Sequence, residues 1–66
     1  MQLTVNGQPQ TIADGATLES LLTALALAPR RVAVERNGRL VRRTDFAQTP
    51  LQEGDCLEIL TLVGGG

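Results

Sequence analysis

The chain has 66 residues, of which 42% are apolar and 20% charged, and its formal net charge is −1. These values are typical of one small globular domain and argue against a disordered chain. One cysteine cannot form a disulfide within these residues, and the absence of histidine and lysine removes the usual general base and Schiff-base chemistry. We therefore predict that the protein is not an enzyme in its own right.

The N-terminal segment is predicted to form a β-hairpin. Leu3 and Val5 alternate with polar residues, as expected for a strand with one buried face. Asn6-Gly7 is a typical two-residue hairpin turn, because both residue types accept a positive φ. Ile12 continues the apolar face on the second strand.

A helix is predicted next. Thr17 is a suitable N-cap, because its hydroxyl can accept a free backbone N–H of the first turn, and Pro29 is expected to end the element. The helix presents one apolar stripe, formed by leucines at the spacing i, i+3, i+4 and i+7: Leu18, Leu21, Leu22 and Leu25.

The second half of the chain is predicted to contain three strands. Val32 and Val34 lie on one face of a strand that turns at Asn37-Gly38 into a short partner, Leu40-Val41. Thr44–Ala47 is predicted to form one helical turn. The last strand is expected to run from about Cys56 to Val63, with alternate residues on the core face: Leu57, Ile59, Thr61 and Val63.

This order of elements predicts an α+β fold. A right-handed crossover through the helix brings a later strand parallel to the first one. One main helix then packs on a mixed sheet of four or five strands, which is the β-grasp (ubiquitin-like) arrangement. We expect residues 1–63 to form this domain and residues 64–66 to form a flexible Gly-Gly-Gly tail.

The tail carries the main chemical hypothesis. Gly64, Gly65 and Gly66 have no side chains, so a thread of this kind can enter a tunnel too narrow for a Cβ atom. It delivers a single functional group, the carboxylate of Gly66. A partner holding ATP and magnesium could activate that carboxylate as an acyl-adenylate. A frayed terminus without function is the alternative, and residue pattern alone gives it about equal weight.

Three further features of the sequence bear on partner binding and chemistry. Leu60 and Leu62 are predicted to point away from the helix, and we interpret them as a docking patch beside the tail rather than incidental exposure. Cys56 is interpreted as a small, partly packed strand residue, in preference to a persulfide site. The six arginines between Arg30 and Arg43 are interpreted as a solvated surface, and with Phe46 as the lone aromatic residue we expect no nucleic-acid binding.

The whole sequence resembles the ThiS family, the small sulfur carriers of thiamine thiazole biosynthesis. Two positions depart from the family pattern, since members often have proline at the position of Arg42 and tryptophan at that of Phe46. The resemblance rests on the Asn6-Gly7 turn and on four further motifs. The motifs are Val32-Ala-Val-Glu-Arg-Asn37, Leu40-Val41-Arg42-Arg43, Glu53-Gly54-Asp55 and the Gly65-Gly66 end. The family has a ubiquitin-like β-grasp fold.

The resemblance implies a carrier cycle. Gly66 would be adenylated by an E1-like enzyme of the ThiF type, converted to a thiocarboxylate with sulfur from a cysteine desulfurase or other persulfide donor, and used by a thiazole synthase of the ThiG type. No cofactor would be bound, since ATP and magnesium belong to the activating partner. A molybdopterin-synthase-type carrier and a ubiquitin-like protein modifier are alternatives. We see no signal peptide or membrane segment and expect the cytoplasm.

Overall fold

A computed structural model describes residues 1–62, so the predictions for Val63 and for the tail at 64–66 lie outside the described residues. Two 3₁₀ helices, Pro29–Arg31 and Arg43–Gln48, join the regular elements. Those elements are β1 (Gln2–Val5), β2 (Gln8–Thr11), α1 (Leu18–Ala24), β3 (Val32–Arg36), β4 (Arg39–Val41) and β5 (Cys56–Thr61).

The five strands form one mixed sheet in the order β2-β1-β5-β3-β4. β1 and β5 are parallel, and the other neighbouring pairs are antiparallel. The two hairpin turns have both central residues at positive φ, 52° and 80° at Asn6-Gly7 and 53° and 84° at Asn37-Gly38, as the sequence predicts. With α1 on one face, this is the predicted β-grasp arrangement.

The core lies between α1 and one face of the sheet. Alternate residues of β1, β3 and β5 meet three leucines of the helix, while Phe46 and Leu51 enter from the connection between β4 and β5. Leu25, predicted as the fourth leucine of the stripe, is only half-buried because it is the C-cap. The buried apolar residues are Leu3, Val5, Leu18, Leu21, Leu22, Val32, Val34, Phe46, Leu51, Leu57 and Ile59.

Both ends of α1 are capped by specific hydrogen bonds. Thr17 is the N-cap, as predicted: its Oγ1 accepts the Ser20 N–H at 3.2 Å, and Ser20 Oγ accepts the Thr17 N–H at 2.9 Å. At the other end, Ala26 has a φ of 59° and donates its N–H to the Thr23 carbonyl, while Leu27 donates to the Leu22 carbonyl. This Schellman turn ends the helix at Ala24, well before Pro29, which instead begins a 3₁₀ helix.

Two details differ from the expectations, and a third expectation is confirmed. Ile12 follows the end of β2, although it is half-buried against the core. β5 ends at Thr61, which is exposed rather than part of the core because it lies beyond Ile59, the last core residue of the strand. The predicted helical turn at Thr44–Ala47 is present within the second 3₁₀ helix, where it buries Phe46.

Among residues 1–62, no helix combines the length and apolar character that crossing a lipid bilayer requires.

Candidate docking face

The sheet face opposite α1 carries the most exposed large apolar side chains. Ala33 and Glu35 of β3 lie on this face, and Leu60 and Glu58 of β5 are their respective partners in the antiparallel register. Leu40 of β4 pairs with Glu35 on the other side. These residues surround one shallow surface depression of about 370 Å³. We call the sheet face opposite α1 the outer face. Over β3, β4 and β5 it presents apolar side chains around two central glutamates.

The predicted exposure of Leu60 and Leu62 is confirmed, since they are 67% and 43% exposed. The Leu62 N–H also donates to the Arg31 carbonyl at 2.7 Å, which fixes the chain just beyond β5. Sequence reasoning missed Leu40, which is 70% exposed. Alternation with the half-buried Val41 could have identified it, because neighbouring residues of a strand point to opposite faces.

The side chain of Asn6 attaches the β1–β2 turn to β5. Parallel pairing of β1 with β5 ends at Val5 and Leu57, and the Asn6 N–H then donates to the Leu57 carbonyl at 2.9 Å. The Asn6 amide binds both backbone groups of Ile59: its Oδ1 accepts the N–H at 2.8 Å, and its Nδ2 donates to the carbonyl at 3.1 Å. This side chain extends the ladder along β5 toward the tail. The sequence indicated only a turn residue here.

A buried carboxylate holds the opposite end of β5. Asp55 is 5% exposed and accepts hydrogen bonds from the Gln52 N–H at 2.8 Å, Asn37 Nδ2 at 3.0 Å and Arg36 Nε at 3.0 Å. Burial alone would raise the pKa of Asp55, but these hydrogen bonds and the Arg36 charge together hold it below its ordinary value. The network fixes where β5 begins and is structural.

Within residues 1–62, the other candidate groups do not lie together as a site. Cys56 is exposed, so its interpretation as a partly packed residue was wrong: as the first residue of β5 it lies outside the core. Arg36 is half-buried against Asp55, while the other five arginines are exposed. Within residues 1–62, no three potential metal-ligating side chains converge. The predicted reactive residues, Gly64, Gly65 and Gly66, lie outside the described residues.

Comparison with known proteins identifies relatives along the whole chain. The sequence model of the ThiS family matches residues 3–66. The crystal structure of the thiamine biosynthesis protein ThiS from Geobacter metallireducens superposes with a TM-score of 0.85 at 42% identity, covering 100% of both chains. The sulfur carrier protein ThiS of Escherichia coli is 32% identical, again over 100% of both chains.

A longer relative also matches. The thiazole synthase of Magnetococcus marinus is 44% identical over all 66 residues, and the chain spans 20% of the length of that protein. A region similar to the present chain therefore forms part of a polypeptide that is named for a thiazole synthase.

Proposed function

The chain belongs to the ThiS family, and we propose that it carries sulfur for thiazole formation in thiamine biosynthesis. The observation that carries this proposal is the end-to-end match to the sulfur carrier of Escherichia coli, which has the same length as the aligned region. The β-grasp fold and the exposed outer face fit a protein that acts by docking to enzymes. It supplies no catalytic side chains of its own, and we place it in the cytoplasm.

The reactive group in this proposal is the carboxylate of Gly66. A carboxylate is a poor electrophile, so an adenylating enzyme of the ThiF type, using ATP and magnesium, first converts it to an acyl-adenylate and releases pyrophosphate. A persulfide sulfur from a cysteine desulfurase or a similar donor then attacks the acyl carbon and displaces AMP. A second thiol then attacks the donor-cysteine sulfur of the resulting acyl disulfide, forms a new disulfide with that cysteine, and releases the thiocarboxylate as the leaving group. Gly64 and Gly65 give the group reach without side chains.

The acceptor that we propose is a thiazole synthase of the ThiG type. The Magnetococcus relative supports this choice, because a fused protein keeps two reacting partners at high effective concentration. The same relative favours thiazole formation over the molybdopterin pathway as the destination of the sulfur. The described part of the chain offers an exposed apolar face on which such an enzyme could dock.

Intact mass spectrometry tests the proposal. The chain is incubated with the adenylating enzyme of the same organism, ATP, magnesium and a persulfide donor, and then separated. We expect the mass change of one oxygen replaced by sulfur, dependent on ATP. An unchanged mass under conditions that convert a known ThiS protein would contradict the carrier function. Larger covalent adducts with other proteins would indicate a modifier instead.

A further inference from the structure

Two glutamates lie directly opposite each other at the centre of the outer face. Glu35 of β3 and Glu58 of β5 are register partners, and both are exposed. The exposed Leu40 pairs with Glu35 in the neighbouring strand, and the exposed Leu60 follows Glu58 on the same face of β5. We propose that these four residues, the acidic patch, bind a partner protein that presents an arginine or lysine side chain surrounded by apolar groups. This inference rests on the proposed function and specifies the chemistry by which a docking enzyme recognises the carrier.

Among the residues that the structure describes, neither glutamate of the acidic pair forms an ion pair. Like charges directly opposite each other on neighbouring strands destabilise a sheet. The ion pairs found within residues 1–62 are Met1 with Asp14 and Arg36 with Asp55, so neither glutamate has a cationic partner within 4.0 Å. Arg36 follows Glu35 in β3, so its side chain lies on the opposite face of the sheet, where its Nε–H donates a hydrogen bond to Asp55. Both carboxylates are therefore available to a cation of another molecule.

The flanking leucines strengthen the attraction between the two carboxylates and a cation supplied by a partner. Leu40 and Leu60 are 70% and 67% exposed, and both border the depression that contains the two glutamates. An apolar surface laid over these leucines would remove water from around the carboxylates. The attraction to an incoming cation is then less screened than on an open surface. A guanidinium group suits the site because its planar array of donors can bond two carboxylates at once.

A second copy of this chain is a poor occupant for the acidic patch. In a two-fold symmetric dimer the same patch faces itself. Such a dimer would bring the Glu35–Glu58 pair of one copy against the identical pair of the other and would bury four carboxylates together. A heterologous partner with a basic side chain avoids this repulsion.

Calorimetric titration with the ThiF-type adenylating enzyme tests the proposal. The double variant Glu35→Gln, Glu58→Gln keeps the size of both side chains and removes two negative charges. The matched control is Glu19→Gln, Asp45→Asn, which removes two charges from exposed residues outside the sheet. We expect the acidic-patch variant to bind at least about tenfold more weakly at low salt and the control to bind within about twofold of the parent.

Two further measurements separate recognition from folding. The urea midpoint of the acidic-patch variant should equal or exceed that of the parent, because relief of repulsion does not weaken the sheet. The affinity of the parent should fall with added salt, and that of the variant should fall much less. A lower urea midpoint together with unchanged affinity would assign the pair a structural role and overturn the proposal.

The remaining outcomes distinguish this inference from the proposed function. Unchanged affinity in the acidic-patch variant, with normal ATP–pyrophosphate exchange, overturns the inference and leaves the carrier function standing. A parent chain that neither binds the enzyme nor supports exchange overturns both. Concentration-dependent dimerisation of the parent in sedimentation runs, abolished by Leu60→Glu, would identify a second copy as the occupant and overturn the inference.

Discussion

Asn37 Nδ2 donates a 3.0 Å hydrogen bond to Asp55 Oδ1, joining the β3–β4 turn to the loop before β5 across 18 positions of sequence. The Asn37 Oδ1 accepts the Cys56 N–H at 2.9 Å, and its backbone N–H donates to the Cys56 carbonyl at 2.8 Å. Asn37 and Asp55 belong to two of the motifs that carry the family resemblance. This contact gives both motifs a structural role, because Asn37 and Asp55 together fix the residue at which the central strand β5 begins.

Asp55 should make the stability of the fold depend on pH in acid. Its pKa is lower in the folded chain than the ordinary value of 3.8, so its ionised form stabilises the folded state. That stabilisation is complete above about pH 5 and is lost as the pH falls through 3.8 toward the lower folded pKa. We expect urea midpoints that are constant from neutral pH to about 5 and decline below about 4.

The variant Asp55→Asn isolates this contribution. It should be less stable than the parent at neutral pH by about 1–3 kcal/mol, since the Arg36 Nε–H and the Gln52 N–H lose a charged, buried acceptor. Its stability should also change less between pH 5 and pH 3 than that of the parent. Asp45→Asn, at an exposed position, is the control. Equal acid sensitivity in Asp55→Asn and the parent would assign the acid effect to other carboxylates.

Ala26 offers a test of the helix C-terminus. Its φ of 59° is unfavourable for a residue with a Cβ atom, and glycine adopts this conformation freely. Ala26→Gly should therefore stabilise the fold by about 0.5–1 kcal/mol, the relief of strain exceeding the entropy that glycine adds to the unfolded chain. Ala24→Gly, at the last residue of the same helix, should destabilise by up to about 1 kcal/mol, because glycine adds backbone entropy to the unfolded chain. Chemical denaturation measures both, and equal signs would contradict the proposed strain.

The sequence predicted features that depend on local pattern. Leucine spacing identified α1, and the Asn-Gly pairs identified both hairpin turns, because periodicity and positive φ are properties of a few adjacent residues. The handedness of the crossover predicted that a later strand would lie parallel to β1, and the structure identifies that strand as β5. These features suffice for the β-grasp fold.

The features that the sequence did not predict depend on residues distant along the chain. The Asn6 amide binds Ile59 across 53 positions, and no local pattern indicates that contact. The side-chain hydrogen bonds of Asp55 with Arg36 and Asn37 are also long-range. The acidic patch was missed because Glu35 and Leu40 become neighbours of Glu58 and Leu60 only through the register of three strands.

Leu60 and Leu62 test the docking interpretation. Leu60→Glu or Leu62→Glu should change the free energy of unfolding by less than about 0.5–1 kcal/mol, since both side chains are substantially exposed. Either variant should weaken binding to the adenylating enzyme by about tenfold or more, because a charge would be buried without a partner in an apolar contact. Ala24→Glu adds the same charge on the exposed surface of α1 and serves as the control. Unaltered calorimetric affinity for both leucine variants would make the exposure incidental.

The tail variants test the function itself. Chemistry at a terminal carboxylate requires the reacting atoms to approach within about 3–3.5 Å in an aligned pose. Removing Gly66 shortens the chain by up to about 3.6 Å and withdraws the carboxylate from that position. One alanine added after Gly66 moves the carboxylate too far, and Gly65→Val keeps the length but introduces a side chain that a narrow tunnel excludes. The buried apolar residues of the described chain lie between Leu3 and Ile59, so we expect all three variants to melt like the parent. We expect each to lose ATP–pyrophosphate exchange with the adenylating enzyme, and full exchange in the variant lacking Gly66 would refute adenylation at this residue.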